Sequence, residues 1–178
     1  LLFAQAADGP APEEAAGAFV DPEKGVETAE DALQGASDIL AEEISDDADI
    51  RRELRQLYLR RGMLASRAAA KEPEDTVYRL YYDFQTPVCK AQGHQVLAIN
   101  RGEREEFLKV SVDFDRAKAL AIVCSNHVKE GSPATETVRA AAQDAYDRLI
   151  FPSIEREIRG ELTERASDAA IKVFSLNL

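Results

Sequence analysis

The chain has no tryptophan, one methionine, two histidines and two cysteines among its 178 residues. The cysteines, Cys89 and Cys124, are too few for the disulfide framework of a secreted domain, so a reduced, cytoplasmic setting is expected. No apolar run approaches the roughly 20 residues that a membrane-spanning helix needs, so no membrane partner is expected. The hydrophobic content of 45% is that of a globular protein with a buried core.

Basic residues are nearly absent from the first fifty positions, where Lys24 stands against fourteen Asp and Glu side chains. The chain carries a net charge of −11, and residues 1–50 carry −13, so residues 51–178 carry +2. A strongly acidic surface repels the phosphate backbone. Any contact with nucleic acid is therefore expected from the second part of the chain.

Motifs of catalytic and cofactor sites are also absent from the sequence. It contains no Gly-rich phosphate loop and no nucleophile beside a base, so we expect neither enzymatic activity nor a cofactor. Cys89 and His94 form a C-x4-H pair, and Cys124 and His127 form a C-x2-H pair, which together supply the four ligands of a tetrahedral zinc site. Because this spacing is loose, independent buried thiols and a histidine at a helix start are the favoured interpretation.

Helical periodicity dominates the chain. Thr28 and Asp31 form a capping pair that predicts a helix over about 28–43, with Ala32, Leu33, Ala36, Ile39 and Leu40 on one side. A second helix is predicted from Ser45 to about Gly62, with an inward face of Ile50, Leu54, Leu57 and Tyr58. Further helices are predicted at about 74–84, 115–128 and 134–150.

The final segment carries the longest helical pattern. Apolar residues recur there at three- and four-residue spacing, at Ile154, Ile158, Leu162, Ala166, Ala169, Val173 and Leu176. Pro152 suits the first turn of a helix, where its missing N–H costs nothing. Glu155 with Arg159, and Glu161 with Arg165, are predicted ion pairs on a solvated face.

One segment, residues 107–113, has the alternation and the β-branched residues of a strand. Its partner would be residues 95–100, joined to it by a hairpin loop at residues 101–105. The competing interpretation is a helix over 93–104. The alternation is poor there because residues 96–99 form a continuous apolar run, and periodicity cannot settle so short a segment. The predicted fold class is mainly α, multihelical, with one short β element near 107–113.

Asn100-Arg101-Gly102-Glu103 interrupts that apolar run. The pattern predicts a helix end, with Gly102 at the C′ position and Arg101 paired to an acid. The functional alternative is a surface loop that docks another domain or nucleic acid.

Candidate nucleic-acid or domain-docking residues are all basic and lie in the second part of the chain. At 100° per residue, Arg51 and Arg55 share a helix face while Arg60 and Arg61 point elsewhere, which favours solvated side chains paired with the acidic front portion over a phosphate-binding patch. The candidates are Arg51, Arg52, Arg55, Arg60, Arg61, Arg67, Arg101, Arg104 and Lys109.

Four segments together resemble the N-terminal half of the Tex family of bacterial transcription accessory proteins: DILAEEISDDADIRREL (38–54), YYDFQTPV (81–88), GHQVLAINRGEREEFLKV (93–110) and residues 144–178. They occur in the family's order. The resemblance implies a multihelical fold, which favours the helix over the hairpin at residues 93–104. It further implies a helix-turn-helix-like element in the middle of the chain. It also implies that, in the whole protein, an RNase-H-like domain, helix-hairpin-helix motifs and an RNA-binding OB-fold domain follow this region.

The predicted organisation is an acidic, partly mobile lead-in at residues 1–25 that continues a truncated helix, followed by a multihelical region at 26–178. Since the chain opens Leu1-Leu2-Phe3-Ala4 and its one methionine is Met63, a fragment is expected. The alternative, the tail of a secretory signal cleaved after Ala4-Gln5-Ala6, lacks a basic n-region.

Two functions follow as hypotheses. The first is a helical scaffold that positions and packs against the RNA-binding domains of the same full-length protein. The expected partners of that protein are RNA or other single-stranded nucleic acid and the transcription machinery. The second hypothesis is that this chain is itself a nucleic-acid-binding, helix-turn-helix-like module. Residues 115–128 offer only Arg116 and Asn126 as readers of base edges, which weakens the second hypothesis.

Overall fold

A computed structural model describes residues 1–73 and 75–176, with side chains through residue 172. The mainly helical fold is confirmed. The α-helices are α1 (Pro12–Ala16), α2 (Ala29–Ser45), α3 (Ala48–Arg61), α4 (Gly93–Arg104), α5 (Arg116–His127), α6 (Thr135–Asp144) and α7 (Phe151–Leu176). The strands are β1 (Met63–Ala68), β2 (Asp83–Pro87) and β3 (Leu108–Asp113).

The chain divides into two compact units. Unit 1 comprises Leu1–Arg52 and Arg116–Pro152, and unit 2 comprises Glu53–Asp115 and Ser153–Leu178. In the part of the chain that the structure describes, no helix is both long and apolar enough to cross a membrane.

Helix α2 begins where its capping pair predicts. Asp31 N donates to Thr28 Oγ1 at 3.1 Å, and Thr28 N donates to Asp31 Oδ2 at 2.9 Å. The buried face of α2, however, is centred on Leu40 and Ile44, which are one turn apart. The prediction that Ala36 and Ile39 share the buried face is wrong, because Ala36 is exposed and the Ile39 side chain is 58% exposed.

Helix α3 begins at an aspartate. Asp47 Oδ1 accepts from Asp49 N at 2.9 Å and from Ile50 N at 3.1 Å, so the helix starts three residues after the predicted Ser45, which instead ends α2. The predicted inward face is confirmed at Ile50, Leu54 and Tyr58, while Leu57 is only half-buried.

The cap makes the stability of unit 1 depend on pH. The backbone hydrogen bond from Ile50 is the largest cause that lowers the pKa of the Asp47 carboxyl, and the nearby His127 lowers it further. A lowered folded-state pKa stabilises the fold above the unfolded-state pKa and is lost as pH falls through the folded value. We expect Asp47→Ala to cost about 1 kcal/mol at pH 7. Urea titrations should show this difference shrinking as the pH is lowered towards acid; a difference that does not depend on pH would contradict the assignment.

The predicted helix over 134–150 is present as α6 followed by a π-helical turn at Ala145–Ile150, which runs directly into α7. Pro152 is therefore the second residue of α7, but no loop precedes it. Proline lacks the backbone N–H that an α-helical turn uses, and the wider π-helical turn lies directly before this part of α7.

The strand of unit 2 predicted near 107–113 is confirmed as β3. Its partner is β1, with Leu64 opposite Val112 and Arg67 opposite Lys109, in an antiparallel sheet ordered β2-β1-β3. Residues 95–100 lie in α4, so the favoured helix is confirmed and the hairpin alternative is wrong.

The helix predicted at 74–84 is wrong. A short 3-10 turn occupies Arg79–Tyr81, and β2 begins at Asp83. The β-branched and aromatic residues of this stretch favour a strand, and Phe84 finds a register partner in Ser66 of β1.

Helix α7 is the longest helix of the described residues, with 26 residues. Its predicted apolar stripe is confirmed as core at Ile154, Ile158, Leu162 and Ala166. It is wrong at Ala169, which is exposed, and Val173 and Leu176 lie outside the residues whose side chains are described.

The end of α4 corrects the predicted C′ glycine. Gly102 lies inside the helix, and its carbonyl accepts from Phe107 N at 2.9 Å while Glu103 O accepts from Glu106 N at 3.0 Å. These two bonds form a Schellman motif with Glu106, at φ 63°, in the C′ position.

Glycine is the residue that the left-handed conformation of Glu106 favours. Glu106→Gly is therefore expected to stabilise the protein by about 1 kcal/mol. A thermal unfolding series checks this, with Glu164→Gly at an exposed helical position of α7 as the control. Equal effects at both positions would contradict the motif.

Candidate nucleic-acid interface

The interrupted motif Asn100-Arg101-Gly102-Glu103 lies on α4, and two of its polar side chains bind α7. Arg159 donates two hydrogen bonds to the Glu103 carboxylate, one of them 2.9 Å from Nη1 to Oε1, and Arg159 Nη2 lies 3.3 Å from Asn100 Oδ1. Asn100 Nδ2 in turn donates to Thr163 Oγ1 at 2.8 Å. A forked guanidinium–carboxylate pair fixes geometry as well as charge, so Asn100 and Glu103 attach α4 to α7.

Gly102 faces the interior of unit 2. A Cβ placed there would lie 2.6 Å from Leu108 Cδ1 and 3.0 Å from Tyr78 Cδ1, so only glycine allows α4 to approach β3 this closely. The hydroxyl of Tyr78 donates to Glu105 Oε2 at 2.7 Å. This hydrogen bond is the main cause that holds the pKa of the Glu105 carboxyl below its usual value.

Arg101 is the one member of the motif directed to solvent. Its Nε lies 3.3 Å from Glu105 Oε1, which agrees with the predicted pairing to an acid. The four residues thus form mainly a structural junction within unit 2. Of the four, only Arg101 could contribute to a surface loop that docks another domain or nucleic acid.

The first three candidate arginines on α3 are engaged. Arg51 Nε donates to Ser45 O at 2.5 Å, and Arg52 Nη1 lies 2.9 Å from Asp49 Oδ1. Arg55 Nη2 lies 2.5 Å from Glu161 Oε2 on α7, and its Nε lies 3.6 Å from Glu157 Oε2. These side chains already have oxygen partners, so contact with phosphate would have to displace those partners.

The ion pairs predicted within α7 are replaced by pairs between elements. Arg159 binds Glu103, Glu161 binds Arg55, and Glu155 Oε1 accepts from Val112 N at 2.8 Å. Sequence spacing alone identified the charged face but assigned the wrong partners. Arg159 in particular was not predicted as a site residue, although its position opposite Glu103 organises the motif.

The remaining candidates are exposed and form no ion pair with any described residue: Arg60, Arg61, Arg67, Arg104 and Lys109. Arg67 is flanked in the sheet register by Asp83 on one side and Lys109 on the other. This is the only pair of candidate cations that the register of the described strands places directly opposite each other, and their mutual repulsion is only partly offset by Asp83.

Charge is divided unequally between the two units. Unit 1 contains eighteen acidic and eight basic residues and carries −10, whereas unit 2 contains fifteen acidic and fourteen basic residues and carries −1. Neither unit has the excess of cations that drives counterion release from nucleic acid. Of the nine candidates, Arg51 and Arg52 lie in unit 1 and the other seven in unit 2.

The stretch that would hold a helix-turn-helix reader is α5. Arg116 Nε and Nη2 bind Asp147 at 2.9 and 2.6 Å, and Asn126 Nδ2 donates to Ile122 O at 3.2 Å. Both side chains that could address base edges are therefore used within unit 1.

The predicted buried thiols are only partly correct. Cys89 is exposed, whereas Cys124 is half-buried, and burial raises the pKa of its thiol. His94 is the second residue of α4, as expected of a helix-start histidine. Among residues 1–73 and 75–176, no group of three or more His, Cys, Asp or Glu side chains is arranged to hold a metal ion.

The described residues thus define a mainly helical protein with a small antiparallel sheet, whose predicted basic sites are largely paired or dispersed. Comparison with known proteins gives the family. Residues 8–174 match the family described as Tex central region-like. The chain belongs to this family, which confirms the resemblance of its four segments.

Three relatives show the range of the family. The chain is 41% identical over 163 residues to the uncharacterized protein YdcI of Bacillus subtilis, covering 90% of this chain and 23% of that protein. It is 26% identical over 175 residues to the protein tex of Bordetella pertussis, covering 90% and 22%. It is 29% identical over 169 residues to human S1 RNA-binding domain-containing protein 1, covering 87% and 17%. The chain spans about a fifth of the length of these relatives.

Proposed function

We propose that this chain acts as a helical scaffold in a Tex-like protein, positioning the parts that bind nucleic acid and packing against them, without catalysis of its own. The observation that carries the proposal is the use of charged side chains to join elements of the chain: Arg159 binds Glu103 and Asn100, and Arg55 binds Glu161. Such pairs fix the relative position of helices, which is what a scaffold requires.

The names of the relatives support a wider role for the full-length protein. One of them carries an S1 RNA-binding domain by name, and this chain matches 17% of its length. We infer that RNA binding in the full-length protein belongs to regions outside residues 1–178, and that RNA and the transcription machinery in the cytoplasm are its partners. The charge of −10 on unit 1 supports this division, because it disfavours phosphate.

The second candidate, a nucleic-acid-binding module, rests on the exposed cations of unit 2. Arg67 and Lys109 lie opposite each other on adjacent strands, and a phosphate placed near both would relieve their repulsion.

Charge reversal in the full-length protein separates the two candidates. If the chain is a scaffold, Arg67→Glu with Lys109→Glu should change the affinity for single-stranded RNA by no more than about twofold. A loss of about tenfold or more, together with a shallower dependence of affinity on salt, would favour the module. Lys71→Glu with Lys90→Glu makes the same change in net charge elsewhere in unit 2 and serves as the control.

A further inference from the structure

An apolar groove opens in unit 1 between α1 and the first half of α2. Its volume is about 540 Å³, and among the fourteen described residues that line it Asp31 is the only charged one. The Asp31 carboxylate is already used, since it caps α2 through Thr28 N. The groove therefore offers an incoming partner an almost wholly apolar surface.

Large apolar side chains at this groove remain in contact with water. Phe19 is 71% exposed, Phe3 is 60% exposed and Ile39 is 58% exposed. Contiguous apolar surface of this kind marks an interaction site in soluble proteins. The groove also explains why the periodicity of α2 predicted Ile39 as a core residue. Ile39 fits the apolar periodicity of the helix, but its side chain is not covered within unit 1.

The floor of the groove is shaped to accommodate a helix. Ala32, Ala36 and Ile39 follow one another along α2 at four- and three-residue spacing, with Gly35 beside them. These small residues leave room, and a Cβ placed on Gly35 would meet no atom within 4 Å. In helix-in-groove recognition, a bound helix lays apolar residues at i, i+3 and i+4 against an apolar surface such as this one.

The charge of unit 1 determines which net charge a partner of the groove should carry. Asp31 is the one charged residue among the described residues that line the groove, and unit 1 as a whole carries −10. Lys24 is the only cation of residues 1–50, and its Nζ already lies 2.9 Å from Asp21. This negative charge disfavours nucleic acid, anionic lipid and a second copy of the same unit, whereas a basic amphipathic helix complements both the apolar floor and the charge of unit 1.

We propose that this groove receives a basic amphipathic helix from a part of the same full-length polypeptide outside residues 1–178. The proposal deepens the scaffold function and rests on it. The chain spans only 17% to 23% of the three relatives, so most of the length of such a protein is available to supply this helix. A helix tethered within one polypeptide also reaches a high effective concentration, so modest apolar contacts suffice to hold it.

A synthetic peptide tests the chemistry of the groove on the 178-residue chain. The probe is an amphipathic helix with Leu and Phe on one face and Lys on the other, and its control has Glu in place of every Lys. Fluorescence anisotropy should show that the Lys peptide binds at least about tenfold more tightly than the Glu peptide. Equal affinity of the two peptides, or no binding of the Lys peptide, would overturn the proposal.

Paired variants locate the binding site. Phe19→Asp with Ile39→Asp should abolish binding of the Lys peptide without altering the fold measured by circular dichroism. Val77→Asp with Leu80→Asp makes the same chemical change at side chains that are 85% and 83% exposed in unit 2, and it should leave binding unchanged. If the second variant lost binding as much as the first, the groove would not be the site.

The full-length protein decides the source of the occupant. Because the tethered helix already fills the groove, the Lys peptide should bind the full-length protein at least about tenfold more weakly than it binds the 178-residue chain. Equal affinity would show an empty groove and overturn the intramolecular occupant. No RNA is used in these titrations, so their failure is distinct from failure of the scaffold function, which RNA titrations decide.

Discussion

Replacing Leu162 by alanine should lower the free energy of unfolding by roughly 2 to 5 kcal/mol, because it removes buried methyl groups and leaves a cavity. Leu162 lies on α7, is 4% exposed, and shares a small interior space of unit 2 with Leu64, Val96 and Ile99. Urea unfolding monitored by circular dichroism measures the change at an unchanged m-value.

Leu80→Ala is the matched control for this substitution. It removes the same atoms from a side chain that is 83% exposed, so it should change stability by no more than about 0.5 kcal/mol. If Leu162→Ala changed the midpoint as little as Leu80→Ala, the apolar stripe of α7 would not be core.

Gly102→Ala should destabilise the protein by about 1 to 3 kcal/mol, although alanine is the better helix former. The added Cβ would lie 2.6 Å from Leu108 Cδ1 and 2.9 Å from Leu108 Cγ, so the Leu108 side chain or the backbone beside it must shift. That movement would also disturb Glu103, which holds Arg159 from the next position along the helix. Thermal and urea unfolding report the loss.

Gly160→Ala tests the same change without crowding. Gly160 lies on α7, and a Cβ there would meet no atom within 4 Å. Helix propensity alone should then stabilise the protein by up to about 1 kcal/mol. Opposite signs at the two glycines would support close packing at Gly102, while stabilisation at both would contradict it.

Local signals predicted the elements that depend on local chemistry. The Thr28 cap, the core face of α3 and the first half of the α7 stripe were predictable because capping and periodicity act within a few residues. Strand β3 was predictable from its alternation. In contrast, β1 lies just after the end of α3, and its alanines would suit a helix. Only its pairing with β2 and β3 makes this stretch a strand.

The candidate site was predictable in composition but not in its partners. The Asn100-Arg101-Gly102-Glu103 interruption indicated a special structure, yet its reason lies in Arg159 and Leu108, and no local rule connects those residues to it. In the same way, Arg55 was predicted to pair with the acidic front portion, whereas the fold places Glu161 beside it. The apolar groove was not predicted, because periodicity cannot distinguish an apolar position in the core from an apolar position on an exposed surface.

The central claim is that this chain positions nucleic-acid-binding regions and does not itself bind nucleic acid. A fluorescence anisotropy titration of the 178-residue chain with single-stranded RNA at about 0.1 M salt, where charges are screened beyond about 10 Å, tests it most directly. The account predicts no saturable binding in the micromolar range, and clear binding by the full-length protein under the same conditions. Micromolar or tighter binding by the 178-residue chain, abolished by Arg60→Glu with Arg61→Glu or by Arg67→Glu with Lys109→Glu, would contradict it.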